Sequence, residues 1–284
     1  FRSATDVSIV NKMLVFPALG EKREGVWNLK LTNEFHMSND GKTGLFKTEP
    51  GPGRLPLFTG RMFNQFENTS EHSGFWIDEA EGRQVLLGKT PDAGQAMDYQ
   101  RYRWLHRRIA RSTDTRTLIA TIAPPMVFTE VNSTTIKVGE SAMNAVEQCY
   151  WCAVANSFVL DWLLRQSVAS TLNMFYLYQL PVPRLPSSDK RCTSIARRAA
   201  RLICVDPVYD DLARDVGFNS HKDGAHAAAE RAQLRAELDG LIAHLYGLDE
   251  DEFAHILKTF PLVPEPAKVA ALNAWRDVQK GLMS

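Results

Sequence analysis

The sequence predicts an α+β fold: a twisted, mostly antiparallel sheet packed with helices, followed by a helical region. Three observations lead there. From Val7 to Pro125 apolar residues come in short β-rich runs broken by Gly, Pro, Asn and Asp. Near Ser141 the alternation gives way to the period of a buried helix, and after Pro186 the composition shifts to helix formers with 3.6-residue periodicity. A chain of 284 residues, 44% hydrophobic and 23% charged, is long enough to bury a sizeable core.

Taken in order, VSIVNKMLVF reads as an opening strand, and VWNLKLT, RMFNQF and QVLLG as further strands separated by loops such as NDGKTG and TEPGPGRLP. The segment YRWLHRRIARSTDTRTLIATIAPP, Tyr102 to Pro125, reads as two strands joined by a polar turn, and MVFTEV as another strand. SAMNAVEQCYWCAVANSFVLDWLLRQS, residues 141–166 or so, is apolar on more than half its circumference and predicts a buried helix packed on the sheet. LNMFYLYQLPVPRLP, Leu172 to Pro186, predicts an apolar strand stopped by Pro181, Pro183 and Pro186. The remaining segments, from SSDKRCTSIARRAARLICV onward, predict helices, with Asp223 and Asp249 as N-caps and Gly247 as a C-cap. The division is therefore a β-rich domain over 1–186 and a helical spacer or tail over 187–284, with no internal repeat.

Composition narrows the function. A formal net charge of zero argues against a protein that coats nucleic acid indiscriminately, while leaving open a module with one basic face. No apolar run approaches the roughly 20 residues that span a bilayer, FRSATDVSIV lacks a signal-peptide core, and four irregularly spaced cysteines do not make a disulfide framework. A reduced, cytoplasmic setting without membrane contact is expected. The start at Phe1, with no initiator methionine, reads as a piece of a longer protein.

The charge that is present is concentrated. Arg101, Arg103, Arg107, Arg108, Arg111 and Arg116 fall in and around one strand pair. Arginine forks suit phosphate and the O6/N7 edge of guanine, so nucleic acid is the first partner to consider. A two-residue strand period places Arg103, Arg107 and Arg111 on one face and Arg108 on the other. The alternative is a solvated strand face, or salt bridges to the acidic run Asp249 to Glu252. Arg61, Asn64 and Gln65 in GRMFNQF add a guanidinium and two amides, the amides being suited to adenine or, alternatively, to capping a strand end. Arg165 and Asn173 flank a loop, RQSVASTLN, in a position to face the same ligand. Arg197, Arg198 and Arg201 read as a solvated helix face or phosphate contacts.

Other lookalikes carry less. Cys149 and Cys152 form C-x-x-C inside an apolar helix, where core thiols, a metal site and a redox pair are all readings, core thiols foremost. PGPG, Pro50 to Gly53, is a turn rather than a cofactor loop. Lys137 and Glu140 lack the upstream Asp of a nuclease site, and there is no H-E-x-x-H or G-x-S-x-G.

Five motifs in order carry a resemblance: VWNLKLTNEFHMSNDGKTGLFK, LPLFTGRMFNQF, YRWLHRRIARSTDTRTLIATIAPP, NSFVLDWLLRQSVASTLNMFYLYQLPVPRLP and RAELDGLIAHLYGLDEDEFAHILKTFP. From about Val26 to Phe260 the chain resembles the C-terminal, TaqI-like target recognition domain of DNA adenine methyltransferases of the type IIG restriction-modification and phage-defence class. Leu172 to Pro186 is also similar to the end of recognition domains in type I specificity subunits, where a helical spacer follows. The resemblance implies sequence-specific binding of double-stranded DNA through Arg61, Asn64, Gln65, Arg103, Arg107, Arg111, Arg116, Arg165 and Asn173, on behalf of a methyltransferase domain outside this sequence. That domain would hold S-adenosylmethionine and the N-P-P-Y loop. Here IAPPM has Ala123 and Met126 where that loop needs Asn or Asp and an aromatic, so no catalytic residue is expected in these residues. The alternative is a protein-interaction scaffold that docks the methyltransferase onto other defence subunits.

Overall fold

The computed structural model describes residues 3–69, 73–168 and 170–284. Its strands are β1 (Leu31–Thr32), β2 (Arg54–Phe58), β3 (Phe63–Asn64), β4 (Glu67–Asn68), β5 (Trp76–Asp78), β6 (Arg103–Arg107), β7 (Ala120–Ala123), β8 (Phe128–Thr129) and β9 (Ser133–Ile136). The helices are α1 (Ala4–Met13), α2 (Glu79–Leu87), α3 (Val138–Ser141), α4 (Ala145–Ala155), α5 (Phe158–Arg165), α6 (Met174–Tyr178), α7 (Lys190–Ile203), α8 (Asp210–Asp215), α9 (Ala228–Leu245), α10 (Glu250–Lys258) and α11 (Glu265–Gln279). This is the α+β class the sequence predicts.

A central antiparallel sheet in the order β1-β9-β6-β7 separates two cores. The pleat decides what each face carries. Trp104, Ala120, Ile122 and Ile136 point to the helical side, where they join Trp151 and Cys152 of α4 in the main core. Leu105 and Ala123 point the other way, onto Phe58, Met62, Phe63 and Val127. On that side lies a small sheet, β5-β2-β8, in which β2 and β8 run parallel. Behind the helical face α7 packs on α4, α9 on α7 and α11 on α9. The helices after Pro186 therefore share one core with the sheet.

The outer edge of β7 is covered. The Asn156 amide mimics a strand, accepting from Ala120 N at 3.0 Å and donating to its carbonyl at 2.9 Å, while the Tyr209 hydroxyl donates to the Ile122 carbonyl at 2.8 Å. An edge so occupied offers no ladder to another chain.

Several sequence expectations are corrected. The opening segment is α1, not a strand: Ser3 and Asp6 form a capping box, and Ile9 and Met13, one helical turn apart, are its buried stripe. QVLLG ends α2 and stops at Gly88, whose φ of +58° suits a residue without Cβ. LNMFYLYQL contains the short α6 rather than a strand. The helix expected over 141–166 is broken at Asn156–Ser157, because Asn156 is used on β7 and Ser157 caps α5 by accepting from Leu160 N at 3.2 Å. The two strands of the arginine segment are joined by the long loop 108–119, not a short turn. Asp249 caps α10 as expected, but Asp223 does not start α9; its carboxylate accepts from Asn219 N at 2.7 Å and Ala227 takes the N-cap position. Cys149 and Cys152 are fully buried, free thiols whose pKa values burial drives upward.

Close approach of α9 and α11 rests on Gly240: a Cβ there would stand 2.7 Å from Trp275 N and 2.8 Å from the Ala274 carbonyl carbon. Backbone atoms cannot swing away, so Gly240→Ala forces the helices apart. The expected cost is about 1–3 kcal/mol in urea unfolding, and an unchanged midpoint would contradict this packing.

Candidate nucleic-acid interface

One end of the central sheet collects loops from four parts of the chain. Strands β2, β6 and β8 all finish there, and β7 and β9 begin there. Glu130 N donates to the Phe58 carbonyl at 3.2 Å, and the buried Glu130 carboxylate accepts from Asn132 Nδ2 at 3.1 Å, so the turns at 59–62 and 130–132 are tied together. Burial raises the pKa of this carboxyl. Arg108 N donates to the Asn132 carbonyl at 2.8 Å. Beyond it the chain pairs with 170–172 through an Ile109–Thr171 bridge and a 2.7 Å bond from Leu172 N to the Arg108 carbonyl.

The predicted site residues divide sharply on this frame. Arg61, Asn64, Arg111 and Asn173 are exposed. Arg107 lies between them, its guanidinium donating to the Phe63 carbonyl (3.1 Å from Nε) with the Phe63 ring centroid 5.6 Å away. Arg108, expected on the opposite face, joins the group by donating to Asn173 Oδ1 at 3.1 and 3.4 Å. Ile109, between these cations, is 58% exposed. This end therefore presents guanidinium and amide groups around an apolar tip, with Glu130 and Asp114 as the adjacent carboxylates.

Four of the nine expected contacts lie elsewhere. Arg103 is fully buried between the sheets, ion-paired with Glu34 and donating to the Val127 carbonyl at 2.7 Å; the second Glu34 oxygen accepts from Thr129 N at 2.8 Å. Gln65 is buried, its Nε2 donating to the Leu118 and Asn156 carbonyls at 3.0 and 3.3 Å. Arg116 and Arg165 converge on Asp161, a fully buried aspartate of α5, at 2.8 and 3.6 Å. Arg116 lies over the Phe158 ring at 4.3 Å, and Arg165 over Phe260 at 4.2 Å. Burial lowers the pKa of Arg165. These side chains are tied to interior partners and do not join the exposed group at the sheet end. The partners expected for the arginines in the 249–252 run are also corrected: Glu252 takes Lys12 at 2.6 Å and Glu250 takes Arg276 at 2.6 Å.

Gln65 and Arg116 instead line an open cleft of about 1510 Å³ between the β3–β4 hairpin, α9 and α11. Its charges are largely paired, as in Arg231 to Glu67 at 2.7 Å. Arg198 and Arg201 of α7 are similarly engaged by Glu237 and Glu230, and Arg197 donates to the Val216 and Gly217 carbonyls. Lys137 and Glu140 form an exposed pair at 2.9 Å.

Sequence reading missed Asp161, although a lone Asp in FVLDWLL signals a buried acceptor. It also passed over Glu34, Glu130 and Asn132, ordinary polar residues in loops.

Asp161→Ala removes the buried counter-charge of Arg116 and Arg165 and leaves Arg116 Nε and the amides of Thr117 and Leu118 without their acceptor. A loss of about 3–5 kcal/mol is expected in chemical unfolding, and less than 1 kcal/mol would show the pairing to be incidental. Asp239, which accepts from Phe158 N at 2.9 Å, is pushed up to about 6 by burial, against the opposing charge of Arg116. Since folding raises this pKa above the ordinary 3.8, its stabilising contribution is complete below that value and is lost as pH rises through 6. Unfolding free energy should fall across pH 4–6 in the wild type and stay flatter in Asp239→Asn; parallel pH profiles would refute the assignment.

No known protein-family model matches the chain, and comparison with curated proteins gives no match.

Proposed function

We propose that this chain binds double-stranded DNA and reads a specific sequence through the loop end of its central sheet. The observation that carries the reading is the gathering of Arg61, Asn64, Arg107, Arg108, Arg111 and Asn173 from separate loops onto one rigid sheet end. Guanidinium groups on a fixed frame suit phosphates and guanine edges, and the side-chain amides suit adenine. Loops on a rigid scaffold can set specificity without changing the fold. Among the described residues no helix is long and apolar enough to cross a membrane, and in this reading the chain works on DNA in the cytoplasm.

The resemblance extends the proposal. The chain serves as the specificity part of a restriction-modification DNA adenine methyltransferase, whose separate catalytic domain holds S-adenosylmethionine and flips the target base. A scaffold that docks other defence subunits is the competing reading, and it predicts neither duplex dependence nor sequence discrimination.

Selection from a pool of random duplexes at two salt concentrations separates them. Enrichment of a short motif, with retention that falls as salt rises, is expected; no retention at low salt would favour the scaffold. Within the selected site, Arg108→Ala and Arg111→Ala should each weaken binding, and loss of a phosphate contact should reduce the salt slope by about 1. Arg101→Ala, an exposed arginine at the other end of β6, should leave affinity unchanged. Equal effects from all three would place the DNA elsewhere.

A further inference from the structure

Ile109 is 58% exposed at the sheet end proposed to bind DNA. Its place there is fixed by the backbone. Ala110 N donates to the Ser170 carbonyl at 3.3 Å and Leu172 N to the Arg108 carbonyl at 2.7 Å, so Ile109 and Thr171 form the non-hydrogen-bonded pair of an antiparallel bridge. In such a pair the two side chains stand together on one face. Strand alternation gives the neighbouring positions to the opposite face, where Ala110 and Leu172 are buried. The bridge therefore turns Ile109 and the half-buried Thr171 outward, and two β-branched side chains with few rotamers make a stiff ridge.

The polar groups around this ridge are those suited to a nucleic acid. Arg108 precedes Ile109 and donates to Asn173 Oδ1, just beyond Thr171. Arg111 follows in the same loop and is exposed. Guanidinium groups have phosphates and guanine edges to meet, and the amide of Asn173 an adenine edge. A branched hydrocarbon among them matches none of these. The major-groove edge of a duplex offers it one apolar group, the C5-methyl of thymine.

We propose that Ile109 selects a thymine, packing its side chain against the C5-methyl in the major groove. The inference rests on the DNA-binding proposal above and adds to it one base of the recognised site and the side chain that selects it. Order at the contact is already in place. Arg108 N donates to the Asn132 carbonyl at 2.8 Å, and the bonds to Ser170 and Leu172 hold the chain on either side of Ile109. An apolar group so anchored loses little freedom on meeting its ligand.

Uracil differs from thymine by that methyl alone, which makes the test specific. The whole chain is titrated, at one salt concentration, with the duplex recovered by selection and with copies in which each thymine in turn is replaced by uracil. Replacement at one position should weaken wild-type binding about fourfold, the worth of one buried methyl group. Ile109→Ala should bind the thymine duplex about as weakly as the wild type binds that uracil duplex, and should not distinguish the two. Because Ile109 is exposed, the variant should unfold at the wild-type midpoint. A selected site without thymine, or one indifferent to uracil at every position, overturns this inference and leaves DNA recognition standing. A uracil penalty as large in Ile109→Ala as in the wild type also overturns it, since another side chain then makes the contact. Binding without an enriched motif, or no binding at low salt, overturns the proposal on which the inference rests, and the inference with it.

Discussion

The Asp161 carboxylate is the contact on which the arrangement of sheet, loops and helices depends. It projects from α5 into the interior and accepts from Arg116 Nε at 2.8 Å, from Thr117 N at 3.1 and 3.2 Å and from Leu118 N at 3.3 Å. Those amides belong to the stretch that brings the chain back from the exposed loop into β7. Without an acceptor there, loop 108–119 would have no fixed return, and β7 no fixed register against β6. The two arginines on Asp161 extend the tie: their faces lie on Phe158 and Phe260, joining α5 to the end of α10. A charge network inside a low-dielectric site is costly unless every member is satisfied, which is why one carboxylate can specify so much local geometry.

Buried charge sorts the arginines of this chain into two populations. Arg103, Arg116 and Arg165 each face a carboxylate in the interior, and their cationic charge is spent on the fold. Arg61, Arg101 and Arg111 remain exposed. Sequence alone cannot separate these populations, because the deciding partners, Glu34 and Asp161, lie far along the chain from the arginines they meet. A two-residue period puts Arg103, Arg107 and Arg111 on one face; the pleat agrees for Arg103 and Arg107, whereas the strand ends at Arg107 and Arg111 lies in the loop beyond it. What it could not give is that a second sheet covers that face near Arg103 and thins out near Arg107.

The class of fold, the existence of the Arg103–Arg107 strand and its partner, the buried C-x-x-C helix and the helical tail were all legible, since each rests on local period or capping. The misread elements share a cause. VSIVNKMLVF, QVLLG and LNMFYLYQL are short apolar runs for which strand and helix patterns compete, and tertiary context chose helix at each. Five of the six residues of the surface cluster, all but Arg108, were legible as arginines and asparagines suited to a ligand, whereas the convergence of four loops on one sheet end is a property of topology. Arg184 illustrates the limit most clearly. In LPVPRLP it is an ordinary basic residue beside prolines, and only the fold shows that it is buried, donating to Asn28 Oδ1 and the Ala18 carbonyl.

The division between fold-holding and exposed arginines bears on how such a domain could vary. Contacts made by Asp161 and Glu34 sit behind the loops they support, so a change in loop 59–64 or 170–173 alters which groups are presented without touching the ion pairs that set their position. The boundary is sharp even within one loop: Arg111 is exposed, while Arg116, five residues on, is clamped by Asp161, Asn156 and Gln65. Order in the exposed part is inherited from the buried part, because the chain between them is short and anchored at Asp161 on one side and at the Ile109–Thr171 bridge on the other. An arginine held between two such anchors loses less freedom on meeting a ligand than one on an untethered loop. On this scaffold, therefore, affinity draws on residues that never meet the ligand, and selectivity on those that do.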